Sequence, residues 1–417
     1  MTNHQSPITN HQSPITNKHR VLLGMSGGID STVSAMLLLE QGYEVVGVTF
    51  RTFDSIKESC LAKEKGCCSI ESIMEAKHNA ERMGFEHHIV DFRETFKQCV
   101  IQNFIDEYMS GHTPNPCVLC NSHIKWGELM RIADELGCDY IATGHYARIA
   151  ERDGHVFLAT AADTRKDQTY FLWMLTEEQL RRTIFPLGDL TKDQVREIAR
   201  QHGYTQLAQK KESQEICFIP NDDYRAFLRE NVPDYDERVR PGEYVDAEGK
   251  VLGQHQGFVN YTIGQRKGLG IALGHPAYVT HIDASTNRVT LGSNDDLFAT
   301  ELRYRVIKSQ MTNHQSPGAS SRLTGGAASA EKGTPLPPSP VFAKVRYRST
   351  PVEVQSPMTN DQSPGASSRL TGGAASAEKG FLEIATLSFR EPVWGITPGQ
   401  SVVLYQDGLV IGGGIIC

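Results

Sequence analysis

The sequence predicts an α/β protein with three parts: an N-terminal parallel-sheet domain, a small mostly helical central region and a C-terminal β-barrel-type domain. In the first third of the chain, apolar strand-like runs alternate with amphipathic helix-like runs, which is typical of a parallel sheet covered on both faces. Helical periodicity without strand-like runs follows. Beyond Pro241, short strand-like runs alternate with Gly-rich turns, which favours an antiparallel barrel.

The N-terminal alternation defines the elements of the parallel sheet in order. The run "RVLLGM" predicts a buried strand and "DSTVSAMLLLEQG" a helix that ends at Gly42, and "YEVVGVTF" with "SIESIMEAKHNAERMG" repeats this pair. A third strand, "HHIVDF", and a helix, "TFKQCVIQNFIDEYMSG", lead into a cysteine-containing loop. After that loop, "IKWGELMRIADELG" and "DYIATGHYARI" supply one more helix and strand. Ligands of such sheets bind beyond the carboxyl ends of the strands.

The later elements set the domain boundaries. The runs "TYFLWML", "TKDQVREIARQHG" and "DDYRAFLREN" are helical, whereas "FVNYTIG", "AYVTHID", "RVTLGS", "FAKVRYRS", "LEIATLSF" and "SVVLYQDGLVIGGGII" are strand-like. We therefore predict a parallel-sheet domain over 19–163, a helical central region over 164–235 and a β-rich domain over 236–417.

A polar repeat interrupts the chain. The segment "MTNHQSPGASSRLTGGAASAEKG" (311–333) recurs as "MTNDQSPGASSRLTGGAASAEKG" (358–380), and its first heptad also begins the chain. These segments are rich in Gly, Ala and Ser and cannot bury enough apolar surface to offset the entropy of ordering. We predict a disordered repeat-like extension at 1–18 and disordered insertions at 311–340 and 356–380.

Composition excludes several classes of protein. No apolar run approaches the length that crosses a membrane, and the N-terminus has no apolar signal-peptide core. Nine cysteines, an odd number, in a long chain of this kind favour reduced thiols and a cytoplasmic location over a disulfide framework. The net charge of −7 does not indicate general nucleic-acid binding. The mildly basic C-terminal part still leaves room for a local phosphate-binding face.

A phosphate-binding loop is predicted at the first strand–helix junction, in "GMSGGIDSTV" (24–33). Gly27 and Gly28 allow close backbone approach, Ser26 and Ser31 offer hydroxyls, and the helix start presents free N–H groups. The loop lacks the GK[ST] of a Walker A motif. It resembles the PP-loop of ATP pyrophosphatases, which activate a carbonyl oxygen by adenylation before a nitrogen or sulfur nucleophile displaces AMP. Asp30 is either a charge for the helix dipole or an organiser of magnesium and phosphate.

Further motifs carry a more specific resemblance. In order, "NPCVLCN" (115–121), "TGHYAR" (143–148), "KDQTYFL" (166–172), "EICFI" (215–219) and "GQRKGLGI" (264–271) resemble those of the tRNA-specific 2-thiouridylases. The similarity runs from about residue 20 to residue 416 and is interrupted only by the repeats. This family adds sulfur to C2 of the wobble uridine in tRNAs for Lys, Glu and Gln.

The resemblance implies roles for individual residues. Cys120 matches the family nucleophile and Cys217 the cysteine that carries the persulfide, with Cys117 as a possible auxiliary thiol. The implied ATP-binding residues are Gly24, Met25, Ser26, Gly27, Gly28, Ile29, Asp30, Ser31, Phe50 and Gly144. The implied tRNA-binding residues are Asn115, Pro116 and Cys117 at the target base, and His145, Lys166, Asp167, Gln168, Arg346, Tyr347 and Gln400 elsewhere. Arg266 and Lys267, on a Gly-flanked turn, are suited to gripping phosphate even without the family.

The implied chemistry needs ATP, Mg²⁺ and a persulfide donor, either a cysteine desulfurase or a sulfur-relay protein. The uridine oxygen is adenylated, the persulfide sulfur on Cys217 is released with the help of Cys120, and AMP leaves. The two cysteines would finish as a disulfide. The simplest expectation for the assembly is a monomer that binds one tRNA.

Alternatives remain at this point. Some relatives have Asp where this chain has Cys117, so an acid–base role cannot be transferred there. Cys117, Cys120 and Cys217 together could instead hold a [4Fe-4S] cluster with one open iron, whereas a structural zinc is disfavoured. Cys99 and Cys138 are expected in the core, and Cys60, Cys67 and Cys68 on a loop without assigned chemistry. A PP-loop ligase with a nitrogen nucleophile and a non-catalytic, ATP-gated RNA-binding protein are the competing functions.

Overall fold

The computed structural model describes residues 19–53, 70–210, 216–309, 339–360 and 384–417. The extension predicted at 1–18, the loop that carries Cys60, Cys67 and Cys68, and most of both predicted insertions lie outside the described residues.

The helices alternate with strands in the first part of the chain and are sparse after residue 240. The α-helices are α1 (Ile29–Glu40), α2 (Ile70–Met83), α3 (Arg93–Phe96), α4 (Gln102–Met109), α5 (Pro116–Leu119), α6 (Gly127–Glu135), α7 (Thr169–Leu172), α8 (Glu177–Arg181), α9 (Lys192–Gln201), α10 (Thr205–Gln209), α11 (Tyr224–Asn231) and α12 (Tyr235–Arg238). Short 3₁₀ turns lie at Pro220–Asp222, Phe258–Asn260 and Asp295–Leu297. None of the described helices has the length and apolar character needed to span a bilayer.

The strands form three sheets. They are β1 (Arg20–Gly24), β2 (Glu44–Arg51), β3 (His87–Asp91), β4 (Tyr140–Thr143), β5 (Arg148–Arg152), β6 (His155–Ala159), β7 (Thr183–Ile184), β8 (Gly242–Val245), β9 (Val251–His255), β10 (Tyr278–Asp283), β11 (Arg288–Gly292), β12 (Phe298–Ser309), β13 (Val341–Lys344), β14 (Val352–Asn360), β15 (Ile384–Trp394), β16 (Ser401–Gln406) and β17 (Leu409–Ile416).

The predicted parallel sheet is confirmed, with strand order β3-β2-β1-β4-β7. The central strand β1 is buried through Val21, Leu22 and Leu23, because helices cover both faces. Gly24, the last residue of β1, pairs in register with Val48 of β2 and Thr143 of β4. The chain order reverses beside β1, so the loops after β1 and β4 border the crevice in which ligands of such sheets bind.

Two continuous helical runs contain π-helical segments. The segment Lys97–Ile101 joins α3 to α4, and Cys120–Trp126 joins α5 to α6. The expectation of a cysteine-containing loop is therefore wrong from Pro116 onward, because a helix begins at that residue and includes both cysteines. Proline is favoured at the first helical position, where its missing N–H costs nothing.

One other sequence expectation needs correction. The run "DYIATGHYARI" is not one strand, since β4 ends at Thr143 and β5 begins at Arg148. The central region is mostly helical, as predicted, and it also contributes the two-residue strand β7, which pairs with β4 as the fifth strand of the parallel sheet. Thr183 in β7 accepts a 2.9 Å hydrogen bond from the indole N–H of buried Trp126. A strand this short has no periodicity to reveal it.

The C-terminal part contains two β-structures, which confirms the predicted barrel-type domain. A four-stranded sheet has the order β10-β11-β8-β9. The strands β12-β15-β14-β13-β16-β17 form a closed antiparallel barrel, because β17 also pairs with β12. The hairpin of β5 and β6 joins this barrel through β17. Strand β14 extends to Asn360, so residues 356–360 of the second predicted insertion pair with β15.

Buried polar contacts join the parallel-sheet domain to the barrel. The hydroxyl of fully buried Tyr170 contacts the carbonyl oxygens of Ser401 at 2.9 Å and Val345 at 3.2 Å. The indole N–H of Trp173 donates to the Ser401 hydroxyl at 3.1 Å. These hydrogen bonds form in a dry interface, where an unmade bond is costly. The two domains therefore have a defined relative position.

We expect Tyr170→Phe to destabilise the protein by about 1–3 kcal/mol, because it leaves buried carbonyl oxygens without their donor. Guanidinium unfolding followed by tryptophan fluorescence measures this, since Trp173 lies at the same interface. The matched control is Tyr278→Phe, whose hydroxyl makes no hydrogen bond with another described residue. Equal effects of the two substitutions would contradict the assignment.

Candidate active site

The phosphate loop lies at the predicted junction, between the end of β1 at Gly24 and the start of α1 at Ile29. The Ser31 hydroxyl donates to the Gly28 carbonyl oxygen at 3.1 Å and accepts from the Ser26 backbone N–H at 3.3 Å. One side chain therefore closes the loop on itself. The backbone N–H groups at the start of α1 are the groups that bind phosphate in such loops.

Two glycines allow the close approaches that shape this loop. Gly27 has φ +72°, and a Cβ there would lie 2.2 Å from the carbonyl oxygen of Ser72 in α2. Gly144, directly after β4, lies so near α1 that its Cβ would be 2.8 Å from the Asp30 carbonyl carbon and the Ser31 nitrogen. Gly144 thus forms one wall of the phosphate loop.

A hydrogen-bond relay supports the loop from the sheet. The Thr49 hydroxyl donates to the Met25 carbonyl oxygen at 2.9 Å and lies 2.9 Å from His87 Nε2. Because the Thr49 proton is already donated, His87 Nε2 is the donor to Thr49. Burial lowers the pKa of His87 to about 4, so the ring is neutral. The neighbouring Phe50 packs edge-on against Phe92, with ring centroids 4.9 Å apart.

The carboxylate of Asp30 is held by a buried lysine that sequence analysis missed. Lys192 Nζ lies 2.7 and 2.8 Å from the two Asp30 carboxylate oxygens, and the Tyr146 hydroxyl donates to one of them at 2.9 Å. Lys192 is only 4% exposed. Its backbone N–H donates to the buried carboxylate of Asp163 at 3.2 Å. This lysine brings a positive charge to the phosphate loop, which lacks the Walker A lysine.

A weak signal for Lys192 existed in the sequence. It is the first residue of α9, directly after Thr191, whose side chain and Gln194 form a capping box. A lysine at the positive end of a helix dipole is unfavourable unless an anion compensates it. Nothing in the pattern indicated that the anion is Asp30, which lies 162 residues earlier.

His145 connects the phosphate loop to the cysteine-bearing helix. Its Nδ1 lies 2.7 Å from the Thr143 hydroxyl, and its ring centroid is 5.5 Å from that of Trp126. Burial, with a smaller contribution from Lys125, holds the pKa of His145 well below its usual range. The ring is therefore neutral at physiological pH. Gly144 contacts α1, and the next residue, His145, contacts the π-helical segment. Two consecutive residues therefore link the phosphate loop to the cysteine-bearing helix.

The segment 166–168 is bound mostly to the protein itself. The Gln168 side-chain oxygen accepts from the Tyr146 N–H at 2.9 Å. Asp167 is buried and accepts from a backbone N–H at 3.0 Å and from the Thr169 hydroxyl at 2.6 Å. Burial raises the pKa of Asp167. Both side chains thus shape the site from within, and Lys166 and Gln168 are half-buried.

The predicted nucleophile lies near the beginning of a long helical run. Asn115 precedes α5, Cys117 is inside it, and Cys120 is the first residue of the π-helical segment. Both cysteine side chains are half-buried. π-Helical segments within α-helices occur frequently at functional sites.

Asn121 fastens this helix to the segment that follows Gln168. Its amide N–H donates to the Phe171 carbonyl oxygen at 3.0 Å, while its side-chain oxygen is buried without a partner among the described residues. The Phe171 ring packs on Tyr347 of the barrel domain, with centroids 4.3 Å apart. The helix that carries Cys120, the segment 166–172 and the barrel therefore meet beside the predicted nucleophile.

Cys217 lies on a separate segment, which packs against the same helical run as the segment that contains Cys120. The next residue, Phe218, is buried, and its ring lies edge-on to Phe96 at 5.5 Å and Phe104 at 5.3 Å. Those two residues belong to the helical run Arg93–Met109, which also packs against the run that contains Cys120. Residues 211–215, directly before this segment, are outside the described ranges.

The structure gives no support to the iron–sulfur hypothesis. Among the described residues, no three His, Cys, Asp or Glu side chains approach closely enough to hold a metal ion, and this set includes Cys117, Cys120 and Cys217. Cys138 is buried as expected, but Cys99 is exposed. That second expectation is wrong because Cys99 lies in a π-helical segment, where the wider turn displaces residues from the 3.6-residue pattern.

The predicted tRNA-binding residues of the barrel lie near the cysteine helix, but they already form contacts within the protein. Gln400 Nε2 donates to the carbonyl oxygens of Thr113 at 2.8 Å and Pro114 at 3.1 Å. The Arg346 guanidinium lies 5.0 Å from the ring centroid of Trp394. Burial lowers the pKa of Arg346.

Arg266 and Lys267 occupy a different surface. Both side chains are exposed on the turn before β10 and form no ion pair with another described residue. Arg266 lines an open concavity of about 460 Å³ together with His275 and apolar residues that include Leu269. A cationic rim over an apolar floor is suited to a nucleic-acid backbone.

The fold and the site define a class of protein: a PP-loop nucleotide-binding domain joined to two small β-domains. Family models agree with each part. One described as tRNA methyl transferase HUP domain matches residues 19–221, and one described as tRNA methyl transferase PRC-barrel domain matches residues 226–293. One described as aminomethyltransferase beta-barrel domain matches residues 374–416.

Curated relatives narrow this class. The tRNA-specific 2-thiouridylase MnmA of Amoebophilus asiaticus is 45% identical over 401 residues, which cover 96% of this chain and 95% of the relative. That of Clostridium perfringens is 43% identical over 96% of this chain and 98% of its own, and that of Cytophaga hutchinsonii is 51% identical over 67% and 76%. The chain belongs to the tRNA-specific 2-thiouridylase family.

We expect Lys192→Met to weaken ATP binding by about tenfold or more, because Asp30 then presents an uncompensated negative charge beside the phosphates. Isothermal titration with a non-hydrolysable ATP analogue measures this. The control is Lys210→Met, since Lys210 also pairs with a carboxylate, Glu75 at 2.6 Å, but on the surface. Unchanged affinity in Lys192→Met would show that the ion pair does not serve the nucleotide.

Proposed function

We propose that the protein uses ATP to thiolate C2 of the wobble uridine (U34) in tRNAs for Lys, Glu and Gln. Its membership of the 2-thiouridylase family over 96% of its length supports the reaction class. The observation that carries the mechanism is the Gly144–His145 pair, which contacts the phosphate loop on one side and the cysteine-bearing helix on the other. ATP and the sulfur chemistry can therefore share one crevice.

The first step is adenylation of the uridine. The phosphate loop holds ATP with Mg²⁺, and the C2 oxygen of the base attacks the α-phosphate and expels pyrophosphate. The base must leave the anticodon stack to reach the loop, as in other enzymes that modify bases. Magnesium supplies charge stabilisation on the phosphates when bound. Among the chain's own residues, the N–H groups of the loop and Lys192 are suited to the same task.

The second step transfers sulfur. A cysteine desulfurase or a sulfur-relay protein leaves a persulfide on Cys217. The Cys120 thiolate attacks the Cys217 sulfur atom and expels the terminal sulfur, which adds at C2 as AMP leaves. Cys120 and Cys217 finish as a disulfide, so an external dithiol must supply two electrons before the next turnover. The shared helical support of the two cysteine segments is compatible with such an exchange.

We expect Cys120→Ser and Cys217→Ser each to reduce 2-thiouridine formation to background while tRNA-dependent release of pyrophosphate persists, because adenylation precedes sulfur transfer. Nucleoside mass spectrometry of tRNA-Glu, incubated with ATP, Mg²⁺ and a persulfide donor, gives the readout. Cys99→Ser is the control, since that thiol is exposed on another helix. Full 2-thiouridine formation after both substitutions would refute the role of these cysteines. Absence of 2-thiouridine in the wild type while ATP is still consumed would favour a PP-loop ligase.

The surface around Arg266 and Lys267 is our proposed contact for the tRNA backbone. The two cations lie next to each other on an exposed turn of a protein whose net charge is −7. Each phosphate contact releases condensed counterions, so such a contact has a characteristic salt dependence. We infer a monomer that binds one tRNA through this turn and through Arg346 and Tyr347 of the barrel.

We expect the double substitution Arg266→Ala with Lys267→Ala to weaken tRNA binding by about tenfold and to reduce the salt slope by about two. The turnover rate at saturating tRNA should stay constant, because the turn is separate from the phosphate loop. Arg288→Ala is the control within the same domain, since Arg288 pairs with Glu243 at 3.0 Å. A changed turnover rate with unchanged affinity would refute this role.

A further inference from the structure

A loop of the barrel is hydrogen-bonded to the residues that precede the cysteine-bearing helix. We name this contact the barrel clasp; it comprises residues 397–400 and 112–114. The Thr113 N–H donates to the Pro398 carbonyl oxygen at 2.9 Å. Gln400 Nε2 donates in return to the carbonyl oxygens of Thr113 and Pro114. The contact therefore has three hydrogen bonds with donors on both sides.

The clasp needs an unusually close approach of the two backbones. Gly399 has φ +88°, and a Cβ there would lie 3.0 Å from His112 Cβ and from the Thr113 carbonyl oxygen. A side chain at position 399 would meet both a backbone strain and a crowded neighbour. The Gly399 N–H donates to the Ile416 carbonyl oxygen at 3.0 Å, so the barrel holds its own side of the contact.

The helix that carries Cys120 depends on this contact because its beginning is poorly capped. Asn115 precedes α5, but its side chain accepts no hydrogen bond from the first turn. It interacts instead with the hydroxyl of Tyr170, which bonds to the barrel. Helix starts usually rely on such a cap to satisfy their free N–H groups. Here the barrel supplies the fixed point for the residues before α5.

We propose that Gln400 is a positioning residue that sets the location of the Cys120 thiol by holding the Thr113 and Pro114 carbonyl groups. Cys120 lies about one turn beyond the helix start at Pro116, so a shift of that start moves the thiol directly. The barrel is then part of the sulfur-transfer apparatus and not only a surface for tRNA. This role deepens the proposed function, because it rests on Cys120 as the nucleophile.

The hydrogen bonds of the barrel clasp require a side chain with N–H donors at position 400, and glutamine provides them. Two carbonyl oxygens need two N–H donors from one side chain, and a primary amide provides them. Glu at position 400 has nearly the same shape but no donor, and its carboxylate would face two carbonyl oxygens. Lys at this position would restore a donor. Gln400→Glu therefore tests the hydrogen bonds with little change in volume, and Gln400→Lys tests their rescue.

The experiment measures the alkylation rate of Cys120 by iodoacetamide across pH, in the full chain without tRNA, with peptide mass spectrometry to identify the site. The tRNA affinity and the split between kcat and KM are measured in parallel. The matched control is Gln406→Ala, at the other end of β16, where Nε2 donates only to the Ser339 carbonyl oxygen at 2.8 Å. Circular dichroism and the unfolding midpoint report the fold of each variant.

In Gln400→Glu we expect the alkylation rate of Cys120 to change by about three- to tenfold, with kcat lowered, tRNA affinity retained and partial rescue in Gln400→Lys. The Gln406→Ala protein should match the wild type. Unchanged alkylation with weakened tRNA binding would overturn the proposal and make Gln400 a tRNA contact. No change in either quantity would also overturn it. Because alkylation needs neither tRNA nor turnover, absence of thiouridine in the wild type would refute the proposed function separately.

Discussion

The ion pair between Asp30 and Lys192 joins the two halves of the nucleotide site. One partner lies in the first turn of α1 and the other at the start of α9, so the pair fixes the central region against the phosphate loop. Tyr146 adds a third hydrogen bond from the end of β4. Lys192 is buried while Asp30 is half-buried, so removing the Asp30 carboxylate would leave a buried charge without compensation. The geometry of the crevice is therefore determined by electrostatics as much as by packing.

From this crevice the architecture extends outward through polar contacts that lie within one continuous apolar cluster, which joins the parallel sheet, the four-stranded sheet and the barrel. Tyr170 and Trp173 connect the segment after Gln168 to Ser401 in the barrel. Asn121 connects the cysteine helix to Phe171. Hydrogen bonds of this kind specify one orientation more strictly than apolar contact does, since misplacement leaves polar groups unsatisfied. The cysteine helix, the segment after Gln168 and the barrel together form the site, so their relative orientation must be fixed in this way.

The sequence alone predicts some features of the structure, such as the parallel sheet, but it does not predict others, such as the long-range contact of Lys192. Strand–helix alternation and the Gly–Ser loop sufficed for the parallel sheet and for the phosphate site, because both have strong local patterns. The sequence predicts a loop where the cysteine helix lies, because the short α5 that begins at Pro116 has no apolar periodicity long enough to indicate a helix. Local pattern cannot identify Lys192 as the partner of Asp30, because that contact joins residues far apart in the chain. The strand β7 could not be predicted from the sequence because two residues are too few to show a strand-like pattern.

The barrel topology has a consequence for the polar repeats. Strands β12 and β14 both run antiparallel to β15, so Ser309 and Asn360 lie at the rim where β15 begins with Ile384. Strand β13 also begins at that rim, because it is antiparallel to β14. The loop with Gln400 follows the opposite end of β15. The described strand ends that flank the polar repeats therefore lie at the end of the barrel opposite to the loop that carries Gln400.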